Sequence, residues 1–283
     1  MIPFLVADRP ASLNIISGLE TKYESIKIGL MGHANTSENF QKYFARFPCV
    51  TNGVCNVIKD ECPYNGNLKS CKEGLIRRNS IIKMCDSGIF QKNGCNMNYD
   101  ELFNLYDLMN TNYGVIKDEL KNKNITLESA IEAIKIYREK SYNFNLVGVA
   151  QGKSVREYID CYDDLKSLGY DYIAVGGLLK KRNNTVRYTF VSNTNFMENV
   201  LSSIREKYKN DWIYVLGCYH PKRHDLLLNY NVYGSDYKGW IFQYDIGRGK
   251  KSKISSDNKE RRRKSRYQQV RTYLKSIYNL PQN

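Results

Sequence analysis

Eight short apolar runs recur along the 283-residue chain, and amphipathic stretches separate many of them. The runs are almost continuously apolar, without the strict alternation of a strand that has one wet face. This pattern favours parallel strands that are covered on both faces. The predicted strands are residues 2–7, 26–31, 81–85, 113–117, 144–150, 172–177, 212–217 and 231–235.

Four of the intervening stretches have the 3.6-residue period of an amphipathic helix. They are residues 99–109, 126–139, 153–168 and 195–208. Thr126 and Ser154 are the predicted N-caps of the second and third of these helices. The apolar stripe predicted for 126–139 consists of Leu127, Ala130, Ile131, Ile134 and Tyr137.

The alternation of strands and helices predicts an α/β protein with a parallel sheet. Eight units in a chain of this length predict a closed (β/α)₈ TIM barrel, a fold that commonly takes about 250 residues. The pattern alone leaves a doubly wound open sheet as an alternative. We predict that residues 1–246 form the barrel, with an irregular insertion at about 47–80, and that 247–283 form a basic, partly helical segment.

Positive charge is concentrated near the end of the printed sequence. The net charge is +14, and residues 248–275 contain twelve Lys or Arg against Asp257 and Glu260. Such a block favours a polyanion through counterion release, so we expect nucleic acid as a partner; a solvated tail is the plainer alternative. The candidate contacts in this block are Lys250, Lys251, Arg261, Arg262, Arg263, Lys264 and Arg266, and outside it Lys222 and Arg223.

Neither a membrane span nor a secretory leader is predicted. No apolar stretch approaches the roughly 20 residues that a transmembrane helix needs. The first residues, MIPFLVADRP, lack a basic n-region and reach Asp8 early. The eight cysteines are too sparse for a disulfide scaffold, so we expect reduced, mostly buried thiols. Together these features predict a soluble, cytoplasmic protein with no membrane partner.

Polar residues and glycines follow most of the predicted strands. The residues at the strand ends are Asp8, Gly32-His33, Asp86, Asp118, Gln151-Gly152, Gly176-Gly177, Gly217 to His220, and Asp236. The carboxyl ends of barrel strands meet at one mouth, where catalytic groups lie. Asp and Gly are also ordinary turn residues, but their combination with Gln151 favours a site.

Several of these segments resemble the motifs of tRNA-guanine transglycosylases, in the family's order. DSGIFQ (86–91) resembles DSGGFQ, VGVAQGK (147–153) resembles GIVQGG, and YDYIAVGGL (170–178) resembles DGYAIGGL. VIKDEL (115–120) lies where the family has an aspartate, YVLGCYHP (214–221) resembles YLMGVGKP, and YGSD (233–236) lies where the family has its nucleophilic aspartate. The resemblance spans about residues 80–240 and implies a transglycosylase-type barrel.

Two departures from the family pattern indicate which branch of the family the chain resembles most. Ile89 replaces the second glycine of DSGGFQ, and no cysteine follows Cys218, so the family's C-terminal zinc site has no counterpart in the printed sequence. The chain therefore most resembles the DNA-guanine transglycosylase (DpdA-like) branch. That resemblance implies exchange of guanine in DNA for a free 7-deazaguanine base, with 7-cyano-7-deazaguanine favoured. The alternatives are the same exchange on tRNA and an inactive barrel that only binds nucleic acid.

The resemblance also implies a role for each matched residue. Asp236 would form a covalent ester with the sugar, and Asp86 would handle the proton of the base. The implied base-binding residues are Asp118, Gln151, Gly176, Gly177, Ser87 and Phe90. Carboxylates suit the donor edge of guanine, while the Gln151 amide and the Gly177 N–H suit O6. The target base must leave the duplex, and a partner protein that opens the duplex is a candidate partner.

No cofactor is predicted, and zinc is the less favoured interpretation of two groups. Cys49, Cys55, Cys62 and Cys71 lack the close C-x-x-C pairs of a structural zinc site. Cys218, His220 and His224 have metal-like spacing, but Pro221 favours the start of a helix there.

Overall fold

The eight predicted strands close into a parallel barrel. The computed structural model describes residues 1–8, 12, 13, 16, 28–47, 81–89, 95–179 and 194–237. Each strand pairs with its neighbours in sequence, and β8 pairs with β1. The (β/α)₈ prediction is therefore confirmed, and the open sheet is excluded. The strands are β1 Ile2–Val6, β2 Gly29–His33, β3 Ile82–Asp86, β4 Tyr113–Val115, β5 Asn145–Ala150, β6 Tyr172–Val175, β7 Trp212–Val215 and β8 Gly234–Tyr237.

The described helices lie in sequence between the strands. They are α1 Glu38–Arg46, α2 Tyr99–Leu108, α3 Lys123–Glu139, α4 Val155–Leu168, α5 Asn195–Lys207 and α6 His224–Asn229, with a 3₁₀ turn at Pro221–Arg223. The Ser154 side chain accepts a hydrogen bond from the Glu157 N–H, so the predicted cap of α4 is confirmed. Asn98 and Glu101 form a capping box at the start of α2.

The predicted start of α3 was wrong by one turn. The N-cap is Asn122, whose side chain accepts from the Ile125 N–H. Thr126 lies inside the helix, fully buried, and its hydroxyl bonds to both the N–H and the carbonyl of Glu119. The predicted stripe was also wrong at Ile131, which is 53% exposed. Ala133 lies on the buried face of α3 instead.

Several strand ends also differ from the prediction. Asp86 and His33 are the last residues of β3 and β2, and Asp236 is the third residue of β8. A polar side chain in the last layer of a barrel strand points to the mouth, so it breaks the apolar pattern without ending the strand.

The barrel interior is packed with aromatic rings opposite glycines. Phe4 of β1 is fully buried and meets the Tyr214 ring edge-on, with ring centroids 5.1 Å apart. The neighbouring β2 has Gly29 in register with Phe4. A Cβ at Gly29 would lie 2.4 Å from the Phe4 ring, so the glycine provides the space that the ring occupies.

The Gly29→Ala variant should therefore lower the free energy of unfolding by about 1–3 kcal/mol, because the added methyl overpacks a rigid ring. Urea unfolding measures the difference. Asn39→Ala, an exposed change on α1, is the matched control. The double variant Phe4→Leu/Gly29→Ala should lose less than the sum of its single variants, and strict additivity would contradict the clash.

A buried lysine fixes β3 against α1. Lys83 is 1% exposed, and its Nζ donates to the Phe44 and Ala45 carbonyls at 2.9 and 3.0 Å. A cation at a helix C-terminus is favourable because the last carbonyls there carry partial negative charge. This contact holds the strand that ends at Asp86.

Some predicted segments lie outside the described residues. They include most of the insertion at 47–80 with Cys49, Cys55, Cys62 and Cys71, the basic segment 247–283, and the helix predicted at 260–279. In the described ranges, no helix combines the length and apolarity that a membrane crossing requires.

Candidate active site

Three carboxylates lie at the carboxyl ends of the barrel strands. Asp86 ends β3, Asp118 follows β4, and Asp236 lies in β8. Asp118 and Asp236 are only 3% and 9% exposed. The charge of Asp86 raises the pKa of both, so the three groups lie within electrostatic reach of one another. The structure thus brings together the three aspartates that the strand-end pattern predicted.

Asp236 is held through one of its two carboxylate oxygens. Its Oδ1 accepts a hydrogen bond of 2.6 Å from the backbone N–H of Gly217, which follows β7. No side chain of a described residue donates a hydrogen bond to Oδ2. Burial raises the pKa of Asp236 to about 6, the Asp86 charge adds to this, and the Gly217 hydrogen bond and His33 oppose it. Asp236 is therefore mainly ionised at neutral pH, with one oxygen fixed and one available.

Asp118 is a buried carboxyl bonded to Gln151. The Gln151 Nε2 donates to Asp118 Oδ2 at 2.6 Å. Burial raises the pKa of Asp118 to about 7, and the Asp86 charge adds to this, while the Gln151 bond lowers it. Near neutral pH the carboxyl can thus either accept hydrogen bonds as an anion or donate one as an acid.

The Gln151 amide is fixed on both sides. Its Oε1 accepts from the Lys121 N–H at 3.1 Å, and one N–H goes to Asp118. A primary amide has two N–H donors, so a second donor remains for a ligand. Glycines make room for the amide, since a Cβ at Gly176 would lie 2.4 Å from Nε2 and one at Gly177 would lie 2.6 Å from Oε1.

Gly177 also needs its conformational freedom. Its φ is +68°, a left-handed backbone that favours glycine. The preceding Gly176 is held by the Tyr158 hydroxyl, which donates to its carbonyl at 2.7 Å. The Gly176 N–H donates to the Ala150 carbonyl. Gly176, which was predicted to bind the base together with Gly177, therefore has no free N–H to offer a base.

The DSG turn positions Asp86. Ser87 is fully buried and its Oγ donates to Asp86 Oδ1 at 3.4 Å, while the Ile89 N–H donates to Ser87 Oγ. Gly88 has a φ of +77°, which lets the chain turn directly after the strand. The structure thus gives Ser87 a contact with the aspartate. Phe90 lies outside the described residues.

His33 was placed at a strand end by the sequence pattern, but no role was predicted for it. It is 7% exposed, and its Nδ1 lies 3.5 Å from Asp86 Oδ2. The sequence feature that could have indicated a role for His33 is its position directly after the second apolar run. Its relevance depends on the register of β2 with β3, which places His33 opposite Asp86. A single sequence gives strand positions more readily than register.

The segment after β7 is held by its own contacts. His220 caps the 3₁₀ turn, and its Nδ1 accepts from the Lys222 N–H. Arg223 is 3% exposed and donates to the Cys218 carbonyl at 2.9 Å, whereas the Lys222 side chain is exposed. The His224 Nδ1 lies 3.2 Å from the Tyr219 hydroxyl. Of the two predicted phosphate contacts here, Lys222 is thus the accessible one.

The described ranges contain no group of three His, Cys, Asp or Glu side chains that could hold a metal ion. Cys218 is buried, and burial raises the pKa of its thiol to about 12. A thiol in that state is a poor ligand, because metals bind the thiolate.

No protein-family model matches the chain, and no curated protein matches it.

The raised pKa values predict how stability depends on pH. The folded state binds protons at Asp118 and Asp236 more tightly than an unfolded chain, whose aspartates titrate near pH 4. Their contribution to stability is therefore largest at low pH and is lost as pH rises from about 4 to about 7.

The Asp118→Asn variant should consequently be more stable than the wild type at pH 8, by on the order of 1–4 kcal/mol. Its amide oxygen can still accept the Gln151 N–H. The gain should shrink toward pH 5, as measured by urea unfolding at both pH values. Asp225→Asn makes the same chemical change at an exposed position and serves as the control. If Asp118→Asn were more stable than the wild type by the same amount at both pH values, burial of the charged Asp118 carboxylate would not be the cause.

Proposed function

We propose that this chain is a guanine transglycosylase that exchanges guanine in DNA for a 7-deazaguanine base. The observation that carries the proposal is Asp236, a buried carboxylate at the barrel mouth whose Oδ1 is fixed by Gly217 and whose Oδ2 is bound by no described side chain. Two further carboxylates lie within electrostatic reach. The ordered resemblance of six segments to the transglycosylase motifs supports the same assignment.

The proposed reaction has two displacement steps at C1′ of the nucleotide. Asp236 Oδ2 attacks C1′, the C1′–N9 bond breaks, and its electron pair goes to guanine, which takes up one proton. The sugar is then held as an aspartyl ester. In the second step a nitrogen of the incoming base attacks C1′, the ester bond breaks, and the base gives up one proton. Two inversions retain the configuration, as in retaining glycosidases.

Asp118 and Gln151 are suited to recognise the flat base. Ionised Asp118 accepts hydrogen bonds from the guanine N1–H and 2-amino group, and the second Gln151 N–H donates to O6. The Asp118–Gln151 bond of 2.6 Å holds both groups in a fixed relation before a base arrives. A site of this kind rejects adenine strongly, because adenine would leave buried polar groups unpaired.

Lysines on three loops at the mouth support a polyanionic substrate. Lys121 follows β4, Lys153 follows β5, and Lys222 follows β7. Lys153 and Lys222 are exposed, and none of the three forms an ion pair with a described residue. Such side chains can bind phosphates around a nucleotide that has left its stack.

The proposed polymer is DNA, because the chain resembles the DNA-guanine transglycosylase branch. Sequence choice then has to come from the pocket, from the neighbouring bases, or from a partner protein. The exchange itself is tested by incubating the protein with radiolabelled guanine and a guanine-containing DNA. Release or uptake of label supports the proposal, and no exchange with either DNA or tRNA contradicts it.

Removing residues 248–283 should weaken nucleic-acid binding and make it depend less on salt concentration. Each phosphate contact releases about one counterion when it forms, so fewer contacts mean fewer counterions released. Fluorescence anisotropy of labelled DNA at several salt concentrations measures both quantities. Lys222→Ala is the single-site comparison, and it should lower the slope by about one. An unchanged affinity and slope in a folded truncated chain would make this segment a solvated appendage.

A further inference from the structure

The His33 imidazole is a buried titratable group that the two displacement steps do not use. It is the last residue of β2 and is 7% exposed. Among the described residues, neither Nδ1 nor Nε2 has a hydrogen-bond partner. A buried polar atom without a hydrogen-bond partner lowers the stability of the folded state, so such atoms are rare in native proteins. The two unpaired ring nitrogens therefore make His33 a candidate functional residue.

The groups around His33 are carboxylates. Asp86 on β3 lies opposite it in register, with Oδ2 3.5 Å from Nδ1. Asp236 on β8 is close enough for His33 to lower its pKa. On the other neighbour, β1, the nearest carboxylate is Asp8, two residues past the end of the strand. Lys83 of β3 is directed away, because its Nζ bonds to carbonyls of α1.

We propose that His33 is the proton partner of Asp86: the imidazole holds the Asp86 carboxylate at the mouth and shares with it the proton that the base exchange requires. The inference rests on the proposed function. The separation of 3.5 Å exceeds that of a charge-assisted hydrogen bond. Catalytic hydrogen bonds are often long without substrate and shorten when it binds.

The proton balance closes within one turnover. Before the reaction the His33–Asp86 pair holds one proton more than a neutral imidazole beside a carboxylate. As the C1′–N9 bond breaks, guanine takes that proton and leaves as a neutral base, and the pair becomes a neutral imidazole beside the Asp86 carboxylate. As the incoming base attacks C1′ and frees Asp236, it returns one proton to the pair. No additional reactant is needed. Because Asp86 meets the base and His33 acts through Asp86, His33 is a positioning residue.

The imidazole nitrogens give a direct test that does not depend on activity. The chain has three histidines, so the ¹⁵N signals of His33 can be assigned by their loss in His33→Asn. When His33 is neutral, we expect its one ring proton to lie on Nδ1, facing Asp86, in the wild type and to move toward Nε2 in Asp86→Ala. Asp118→Asn, which removes a different carboxylate of the mouth, should leave the His33 signals as in the wild type. Identical His33 signals in wild type and Asp86→Ala would overturn the pairing.

Two substitutions at His33 separate proton transfer from packing. His33→Asn keeps an N–H near the position of Nδ1 but cannot gain or lose a proton, whereas His33→Leu keeps only bulk. We expect kcat to fall about tenfold in His33→Asn, with KM changed less than about twofold and the pH–rate profile displaced, and about 10²-fold in His33→Leu. Equal losses with a wild-type pH profile would show that His33 only fills space.

The two proposals fail in different ways. If the wild-type protein shows the His33–Asp86 coupling but exchanges no base, the proposed function is wrong. The transfer of the proton to a base is then wrong as well. A protein that exchanges base at the wild-type rate and with the wild-type pH profile in both His33 variants overturns the role of His33 and leaves the proposed function standing. If His33→Leu does not fold, the comparison of wild type with Asp86→Ala still decides the pairing.

Discussion

The Asp236→Asn variant should lose base exchange by at least about 10³-fold while it keeps its affinity for guanine. An amide has the shape of the carboxylate, and its oxygen can still accept the Gly217 N–H that now bonds to Oδ1. It is not a nucleophile, so no ester forms with the sugar. Radiolabelled guanine exchange measures the loss, and calorimetry measures guanine binding.

The control for this variant is Asp225→Asn, which makes the same change on the exposed side of α6. It should exchange base at the wild-type rate. Wild-type exchange by Asp236→Asn would remove Asp236 from the nucleophile's role. Loss of guanine binding together with exchange would instead place Asp236 in base recognition.

Incorporation of 7-cyano-7-deazaguanine should be essentially confined to DNA when DNA and tRNA are offered under the same conditions. This preference follows from the proposed exchange of guanine in DNA. Lysines read backbone charge and carry no sequence information by themselves. Single-stranded DNA should react at least as well as duplex, because its bases are already out of a stack.

Mass analysis of nucleosides released from each polymer measures this preference. A purified protein that modifies single-stranded but not duplex DNA would indicate a partner that opens the duplex. Efficient incorporation into tRNA with none in either form of DNA would contradict the DNA assignment. It would leave the proposed roles of Asp86, Asp118 and Asp236 unchanged.

The barrel could be predicted from sequence because its strands are covered on both faces. The runs that become β5 and β7, for example, are almost continuously apolar for a physical reason: one face packs inside the barrel and the other packs under helices. The polar ends were harder to predict. Asp236 looked like a residue beyond β8, although its backbone continues the strand and pairs with Phe4.

The error in the predicted start of α3 also arises from a local feature of the sequence. Thr126 has the side chain of a cap, but Asn122 starts the helix one turn earlier and leaves Thr126 to bond with Glu119 from inside. Periodicity could not distinguish these two starts, because both place Ala130 and Ile134 on the buried face.

The positions of three carboxylates at the strand ends could be predicted, whereas the contact between His33 and Asp86 could not. Asp86, Asp118 and Asp236 are visible as polar residues after apolar runs. His33 follows a run as well, but its contact with Asp86 depends on the register of β2 with β3, and the Asp118–Gln151 bond depends on side-chain packing across two loops. These are long-range properties that strand patterns do not specify.

The covalent aspartyl-sugar ester is the most direct test of the central claim. The protein is incubated with a short guanine-containing DNA without incoming base, denatured, and digested with trypsin, which releases Asp236 in the peptide 224–238. We predict that this peptide gains the mass of the sugar-linked oligonucleotide at Asp236 and that Asp236→Asn gains none. Base exchange that proceeds without any adduct, or with the adduct on another residue, would contradict it.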